Sequence, residues 1–358
     1  MGAFRRRQTR TVRIGPVQIG GSAPVSIQSM NTTKTQDVVG TLTQLHQLQA
    51  AGCQIGRLAV PDQAAAVALQ QIVRESPLPL VADIHFDYRL ALAAVKAGVA
   101  GLRLNPGNIG GPDRVRQVAL AAKAAGIPIR IGVNGGSLDK RLLAQYGGVT
   151  ADALCQSALE QAALLESYGF YEIKISLKCT DLPVMLAAYR KMAKETDYPL
   201  HIGVTEAGTR FRGAIKNAIG IGTLLSEGIG DTLRVSLTAD PVEEVHVAKA
   251  ILQMLDLAPG GWDLVSCPTC GRTCIDLISL TQQVEAALAE IVPKRRRKIA
   301  VMGCAVNGPG EAADADLGLA GGVAGGLLFR YGQKVGYFPE KDLLPEFLRL
   351  AKLLAEEE

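Results

Sequence analysis

The feature that most constrains this chain of 358 residues is a rhythm. Short β-branched or apolar runs alternate with longer Ala-, Leu- and Gln-rich stretches of helical period. Eight candidate strands come first, at 25–29, 55–60, 80–84, 101–105, 129–133, 171–176, 200–204 and 232–236. A helix-like stretch follows each, for example 37–51, 87–97, 151–167 and 242–255. Asp and Pro stand where several of these helices should begin, at Pro61-Asp62, Pro112-Asp113 and Asp240-Pro241. Ala-Gly stands where others should end, at Ala51-Gly52 and Ala97-Gly98. Eight βα units in one block predict an α/β TIM barrel. An open doubly wound sheet is the competing arrangement, but it seldom needs eight uniform units.

The texture changes after 257–261. The expected division is a barrel over 1–258 and a smaller α+β domain over 259–358. The smaller domain should hold a helix over 277–291, a strand over 299–302 and a hairpin built from 327–331 and 334–337. Its last helix, 340–357, places Leu343, Phe347, Leu350 and Leu354 on one face. The basic run 294–298 reads as a solvated linker that can also meet an acidic protein.

Composition excludes several classes. Although 48% of the residues are apolar, no apolar run approaches the ~20 residues of a membrane span. The Arg-rich opening has no apolar stretch behind it, so no secretory signal is expected and the cytoplasm is the expected setting. Seven cysteines without an export signal favour a metal or catalytic role over a disulfide framework. A net charge of +4 is small for this length, and with 4% aromatics there are few platforms for stacking bases. No nucleic acid and no membrane partner is expected.

Side chains alternate across a strand, so every second residue of a barrel strand points inward. Several candidate strands carry polar or charged residues at alternate positions toward their C-terminal ends. They include Asp83 and His85, Arg103 and Asn105, Arg130 and Asn134, Lys174, Ser176 and Lys178, and Arg234 and Ser236, with Arg57 a further candidate. A barrel interior is normally filled by Val, Ile and Leu, and unpaired buried cations are costly. A lone strand-end Arg is usually a surface or ion-pair residue. The same pattern on five strands instead predicts an anionic ligand at the mouth, and the excess of cations suggests more than one phosphate. The Gly-rich loops 105–111 and 134–136 can offer backbone N–H groups to the same oxygens. Asp83 and Glu206 are the carboxylates placed to move protons or orient a hydroxyl. His85 and His201 read as structural or substrate-orienting.

A second constellation stands near the end. Cys267 and Cys270 form a Cys-x-x-Cys pair, and Cys304 precedes a turn that leads to Glu311. Three thiolates leave a metal centre one ligand short, and a carboxylate on thiolate-bound iron is easier to displace than a fourth sulfur. The competing set is Cys267, Cys270, Cys274 and Cys304, an all-sulfur zinc or iron–sulfur site with Glu311 on the surface. Cys53, Cys155 and Cys179 lack ligand spacing and read as small buried hydrophobes.

Several segments together carry a resemblance: Gly203-Val-Thr-Glu-Ala-Gly208, Gly228-Ile-Gly-Asp-Thr232 with Arg234-Val-Ser-Leu-Thr238, Cys267-Pro-Thr-Cys-Gly-Arg272, Gly303-Cys-Ala-Val-Asn-Gly-Pro-Gly-Glu311, Arg103-Leu-Asn-Pro-Gly-Asn108 and the opening Ser26-Ile-Gln-Ser-Met30. The chain resembles, over nearly its whole length, the bacterial 4-hydroxy-3-methylbut-2-en-1-yl diphosphate synthases of the methylerythritol phosphate route to isoprenoids. The resemblance implies a [4Fe-4S] cluster held by Cys267, Cys270, Cys304 and Glu311. It implies 2-C-methyl-D-erythritol 2,4-cyclodiphosphate in the barrel mouth, and a two-electron reductive dehydroxylation that opens the ring. Arg57, Arg103, Asn105, Arg130, Asn134, Lys174, Lys178, Arg234 and Ser236 would bind that substrate. Glu206 is the first choice of proton donor and Asp83 the second. It further implies flavodoxin or ferredoxin as electron donor and a homodimer. The small domain would resemble the cluster domain of sulfite and nitrite reductases. Many such synthases carry Glu where this chain has Cys274. Two readings are set against this one: a radical-SAM barrel, whose three cysteines normally sit near the first strand whereas these follow the eighth, and a non-redox phosphate-binding barrel with a structural zinc.

Overall fold

The computed structural model describes residues 4–357 and divides into two compact units, Met1–Leu255 and Asp256–Glu358. The first unit opens with an antiparallel hairpin, β1 (Val12–Ile14) and β2 (Val17–Ile19). Eight parallel strands follow: β3 (Ser26–Met30), β4 (Ile55–Ala59), β5 (Leu80–Asp83), β6 (Gly101–Leu104), β7 (Ile129–Asn134), β8 (Ile173–Lys178), β9 (His201–Ile202) and β10 (Thr232–Leu233). They pair in chain order, and β10 returns to β3. A parallel bridge between Ile175 and Leu200 joins β8 to the approach of β9 and closes the ring. This is the TIM barrel expected from the rhythm. β9 and β10 are shorter than their apolar runs suggest, two residues each.

The helices are α1 (Val38–Ala51), α2 (Gln63–Glu75), α3 (Tyr88–Lys96), α4 (Pro112–Ala125), α5 (Lys140–Tyr146), α6 (Ala151–Ser167), α7 (Leu182–Glu195), α8 (Arg210–Ser226) and α9 (Pro241–Met254). Their ends follow local chemistry. Asp37, Asp62, Asp87, Asp181 and Asp240 each accept a backbone N–H of the first turn through the side chain. Pro occupies the first turn of α4, α7 and α9. The hairpin and the short α5 escape the sequence pattern because neither belongs to the βα repeat. Val12, Ile14 and Ile19 pack on Ile55 and Val81, so the hairpin covers the N-terminal ends of the strands, away from the mouth.

The second unit is α+β. Its sheet runs β11 (Trp262–Ser266), β12 (Arg297–Met302), β13 (Leu317–Gly322), β14 (Gly325–Arg330) and β15 (Gln333–Pro339). The first three strands are parallel and the last two pairings antiparallel. Helices α10 (Leu277–Leu288) and α12 (Glu340–Glu356) bury Leu277, Val284, Leu288, Leu343, Phe347 and Leu354 in one core with Ile299, Val301, Leu317 and Leu328 of the sheet. The short α11 (Gly308–Ala313) packs Ala312 with Ala320 and Phe329. Strands β11 and β13 were not expected. The Gly-rich run of β13 has weak strand propensity, and its neighbours on both sides hold it in place. At Gly318 a Cβ would lie 2.1 Å from the Ala312 carbonyl oxygen, so α11 approaches that strand only over a glycine.

The basic run 294–298 is corrected by this fold. Arg297 opens β12 and is 1% exposed, with its guanidinium 3.6 Å from Asp316, 3.7 Å from Glu357 and donating to the Tyr331 hydroxyl. Arg296 pairs with Asp263 and Lys298 with Asp314. Three of the five cations are therefore structural, and only Lys294 and Arg295 lack a carboxylate partner among the described residues.

Candidate active site

The barrel strands present their cations in register. Asp83 of β5 is opposite Arg103 of β6, Arg103 opposite Arg130 of β7, and Arg130 opposite Lys174 of β8. Residues in register on parallel neighbours face the same side, so four strands aim one polar layer inward. A cavity of about 240 Å³ lies at their C-terminal ends. Arg57, Asp83, His85, Arg103, Arg130, Asn134, Lys178, Thr205, Arg234 and Ser236 line it.

Asp83 organises one wall. It accepts from Arg103 Nη1 at 3.1 Å, with Arg57 Nε at 3.8 Å and His85 Nε2 at 3.4 Å. Burial opposes its charge, but Arg57, His85 and Arg103 outweigh burial and hold the carboxyl well below the usual carboxylate range. A carboxyl so held is an anchored counter-ion. Arg57 also meets Met30 Sδ at 2.8 Å. Burial, with Arg234 and Arg103 nearby, pulls its pKa down to about 10 despite Asp83.

Arg103 has room because residue 132 is glycine. A Cβ there would lie 2.4 Å from Arg103 Nε, and Arg103 Nη2 donates to the Gly132 carbonyl at 3.1 Å. Arg130 is 2% exposed and donates through Nη1 to Ser176 Oγ at 2.7 Å, while its Nε and Nη2 have no partner. Lys178 is buried with no carboxylate partner among the described residues, and a Cβ at residue 203 would come 2.9 Å from its ammonium. Arg234 is steadied by Glu244, with Nη2 to Oε1 at 3.2 Å. Such a set, with so few carboxylates, is built to receive anionic oxygens.

Not every expected residue joins this cavity. Asn105 lines a larger neighbour of about 450 Å³, where it closes a turn by accepting from Gly107 N. That neighbour carries Lys140 against Asp139 and Glu160, so it lacks the cation excess of the smaller one. Lys174 is buried below the cavity and does not line it. Glu206 is exposed, at φ 52°, immediately after the lining residue Thr205. Thr205 was missed, although its place between Gly203 and Glu206 past a strand end marked it.

In the second unit the thiols gather at the C-terminal ends of β11 and β12. Gly303 N donates to Cys267 Sγ at 3.3 Å, and Cys274 N donates to the Gly303 carbonyl at 2.8 Å. These bonds tie the Cys267 loop to the loop that carries Cys304. The backbone N–H groups of Val306, Asn307 and Gly308, with Arg272, lower the pKa of the Cys304 thiol and favour its thiolate. Cys270, Cys274 and Glu311 are exposed. No three Cys, His, Asp or Glu side chains among the described residues stand close enough to grip a single metal ion.

The GcpE TIM-barrel domain matches residues 9–249, and the GcpE protein C-terminal domain matches 263–353. A protein of Geobacter sulfurreducens named 4-hydroxy-3-methylbut-2-en-1-yl diphosphate synthase (flavodoxin) is 55% identical over 352 residues, 98% of this chain and 99% of its own length. A protein of the same name from Ruminiclostridium cellulolyticum is 53% identical over 346 residues, 97% of this chain and 98% of its own. Among solved structures, the N-acetylneuraminic acid synthetase of Leptospira borgpetersenii superposes with a TM-score of 0.52 at 10% identity, covering 79% of this chain and 98% of that one, a likeness of fold alone. By both domain matches and by its identity to these synthases over nearly its full length, the chain belongs to the GcpE family.

Proposed function

We propose that this chain reduces and opens 2-C-methyl-D-erythritol 2,4-cyclodiphosphate to 4-hydroxy-3-methylbut-2-enyl diphosphate, with flavodoxin as electron donor. The observation that carries the reading is the barrel cavity. Arg57, Arg103, Arg130, Lys178 and Arg234 meet there, with Asp83 the one carboxylate lining it among the described residues. Their charge suits a cyclic diphosphate, while Asn134, Thr205 and Ser236 suit its hydroxyls. Asp83 orients Arg57 and Arg103 and stays ionised throughout.

Written for the fully protonated acids, the substrate takes up two electrons and two protons. One ring C–O bond to phosphate breaks, and one hydroxyl leaves as water. Glu206, next to Thr205 at the mouth, is the proposed donor of the proton that accompanies the hydroxyl. Cys267, Cys270, Cys304 and Glu311 would hold a [4Fe-4S] cluster, which when bound supplies the electrons one at a time. The chemistry of the donor set suits such a group, although among the described residues no three of these side chains stand close enough to grip one metal ion. It offers soft thiols on two loops tied together at Gly303, one of them already favouring its thiolate, and an exposed carboxylate free to release. Cys274 is a spare thiol beside this set. All seven cysteines are free, which suits a reducing cytoplasm, and no helix among the described residues is long and apolar enough to cross a membrane. A homodimer is the proposed assembly, and sedimentation tests it.

The reading is tested by anaerobic purification with iron, sulfide and zinc assays, followed by turnover of the cyclodiphosphate with reduced flavodoxin. About four irons and four sulfides per chain with product formation is the expected result. One zinc, no sulfide and no product would discard it. Glu311→Ala should retain iron and sulfide at least in part and lose turnover.

A further inference from the structure

Lys178 lines the cavity, but Lys174 has no task in the reaction so far. It precedes Lys178 by four residues on β8, hence on the same inward face, and is 1% exposed. Its register neighbour on β7 is Arg130. No carboxylate pairs with Lys174 or Lys178 among the described residues. On the β9 side stands His201, fully buried with neither ring nitrogen bonded. Burial and the cations Arg130, Lys178 and Lys174 keep that ring neutral. Across the barrel are Arg57, Arg103 and Arg234, whose charges are countered by Asp83 and Glu244. Outside β8, α6 and α7 bring Cys155 and Tyr189, both held protonated by burial. Among the described residues the interior therefore sets six lysines and arginines against two carboxylates; burial and the nearby arginines lower the Lys178 pKa well below its ordinary value as well, and Lys174 is the one set below the cavity without a partner.

We propose that Lys174 is a protonation site coupled to substrate: partly neutral in the ligand-free barrel, it takes up a proton when the cyclodiphosphate dianion enters above it. The inference rests on the cyclodiphosphate reading of the cavity. Burial, with Arg130 adding repulsion, brings the Lys174 pKa down to about 7. Two phosphate charges arriving in a low-dielectric interior offset much of that positive charge and favour the ammonium. Both acidic groups of a cyclic diphosphate are strong acids, so the substrate itself has nothing that titrates near neutrality. Lys174 is then a positioning residue. It adds charge beneath the phosphates only while they are present, and it spares the ligand-free barrel a further buried cation.

Oxidised holoenzyme binds without turning over, so it is titrated calorimetrically with the cyclodiphosphate at pH 7 in two buffers of different ionisation enthalpy. Net uptake of up to about one proton per substrate is expected, and affinity should fall between pH 7 and 9 by up to about tenfold per pH unit. Lys174→Met should still bind but lose the buffer dependence. A wild-type heat independent of buffer, an affinity flat with pH, or uptake that persists in Lys174→Met would each overturn the inference while leaving the cavity reading intact. Absence of any binding would defeat that reading, and the inference with it. If Lys174→Met does not fold, Lys174→Gln takes its place, since only a variant at this position separates its proton from one taken up by Lys178 or His201.

Discussion

Each unit of this protein buries an arginine, and the two have opposite meanings. Arg297 in the small unit is 1% exposed and rests between Asp316 and Glu357 with the Tyr331 hydroxyl on its guanidinium. Arg130 in the barrel is 2% exposed, has one bond to Ser176 and leaves two nitrogens open. Burial costs both the same desolvation, but only Arg297 recovers it inside its own fold. A cation buried without its anion signals a partner from outside the chain. Burial, with Arg57 and Arg103 nearby, pulls the Arg130 pKa well down, which is the electrostatic mark of that missing anion.

The strongest way to break the comparison is to remove the two arginines in turn. Arg130→Met should lower turnover by about a thousandfold, the loss of two charged hydrogen bonds to phosphate, while leaving thermal stability unchanged or raised. A drop in melting temperature with activity retained would reverse the assignment. Asp83→Asn comes next. It frees Arg57 and Arg103 and should cost about a hundredfold in turnover at neutral pH. Its pH signature has a definite sign. The Asp83 pKa is depressed in the fold, so its contribution to stability is present above the ordinary carboxylate pKa and fades as pH falls through the depressed value. Wild type and Asp83→Asn should therefore converge in stability at low pH, as acid unfolding followed by circular dichroism will show. Arg297→Met should destabilise the small unit by about 2 kcal/mol, less than for a fully buried pair because Asp316 and Glu357 reach solvent. Substrate affinity measured on the same variant should not change.

The smallest effect sharpens the comparison at the surface. Lys294 and Arg295 lack carboxylate partners among the described residues, whereas Lys298 is paired with Asp314. Replacing Lys294 and Arg295 together by Gln should slow reduction by flavodoxin about two- to threefold at low salt, and Lys298→Gln should not. Equal rates for wild type and the double variant would remove this patch from the docking surface.

Much of the barrel was legible because its signals are local. Apolar runs of strand length, Asp and Pro at helix starts and inward cations at period two all act within a few residues. The cysteine pair and the Cys304 turn were legible for the same reason. What was not legible is nonlocal. Asn105 and Lys174 follow the same alternation as Arg103 and Arg130, yet one turns into a neighbouring cavity and the other lies a layer too deep. Glu206 sits in a recognisable motif, but its exposure depends on where the chain leaves β9. Arg297 reads as one cation in a basic run until β13 and the end of α12 bring Asp316 and Glu357 against it.

The sequence by itself determined the repeating βα units, the stock of strand-end cations and the thiol–carboxylate set, since each is written in contiguous residues. Only the tertiary structure decided which cations share a cavity and which find a carboxylate. Strand register and barrel closure place side chains from five or six distant segments within one Coulombic distance, and that distance separates an ion pair from a binding site.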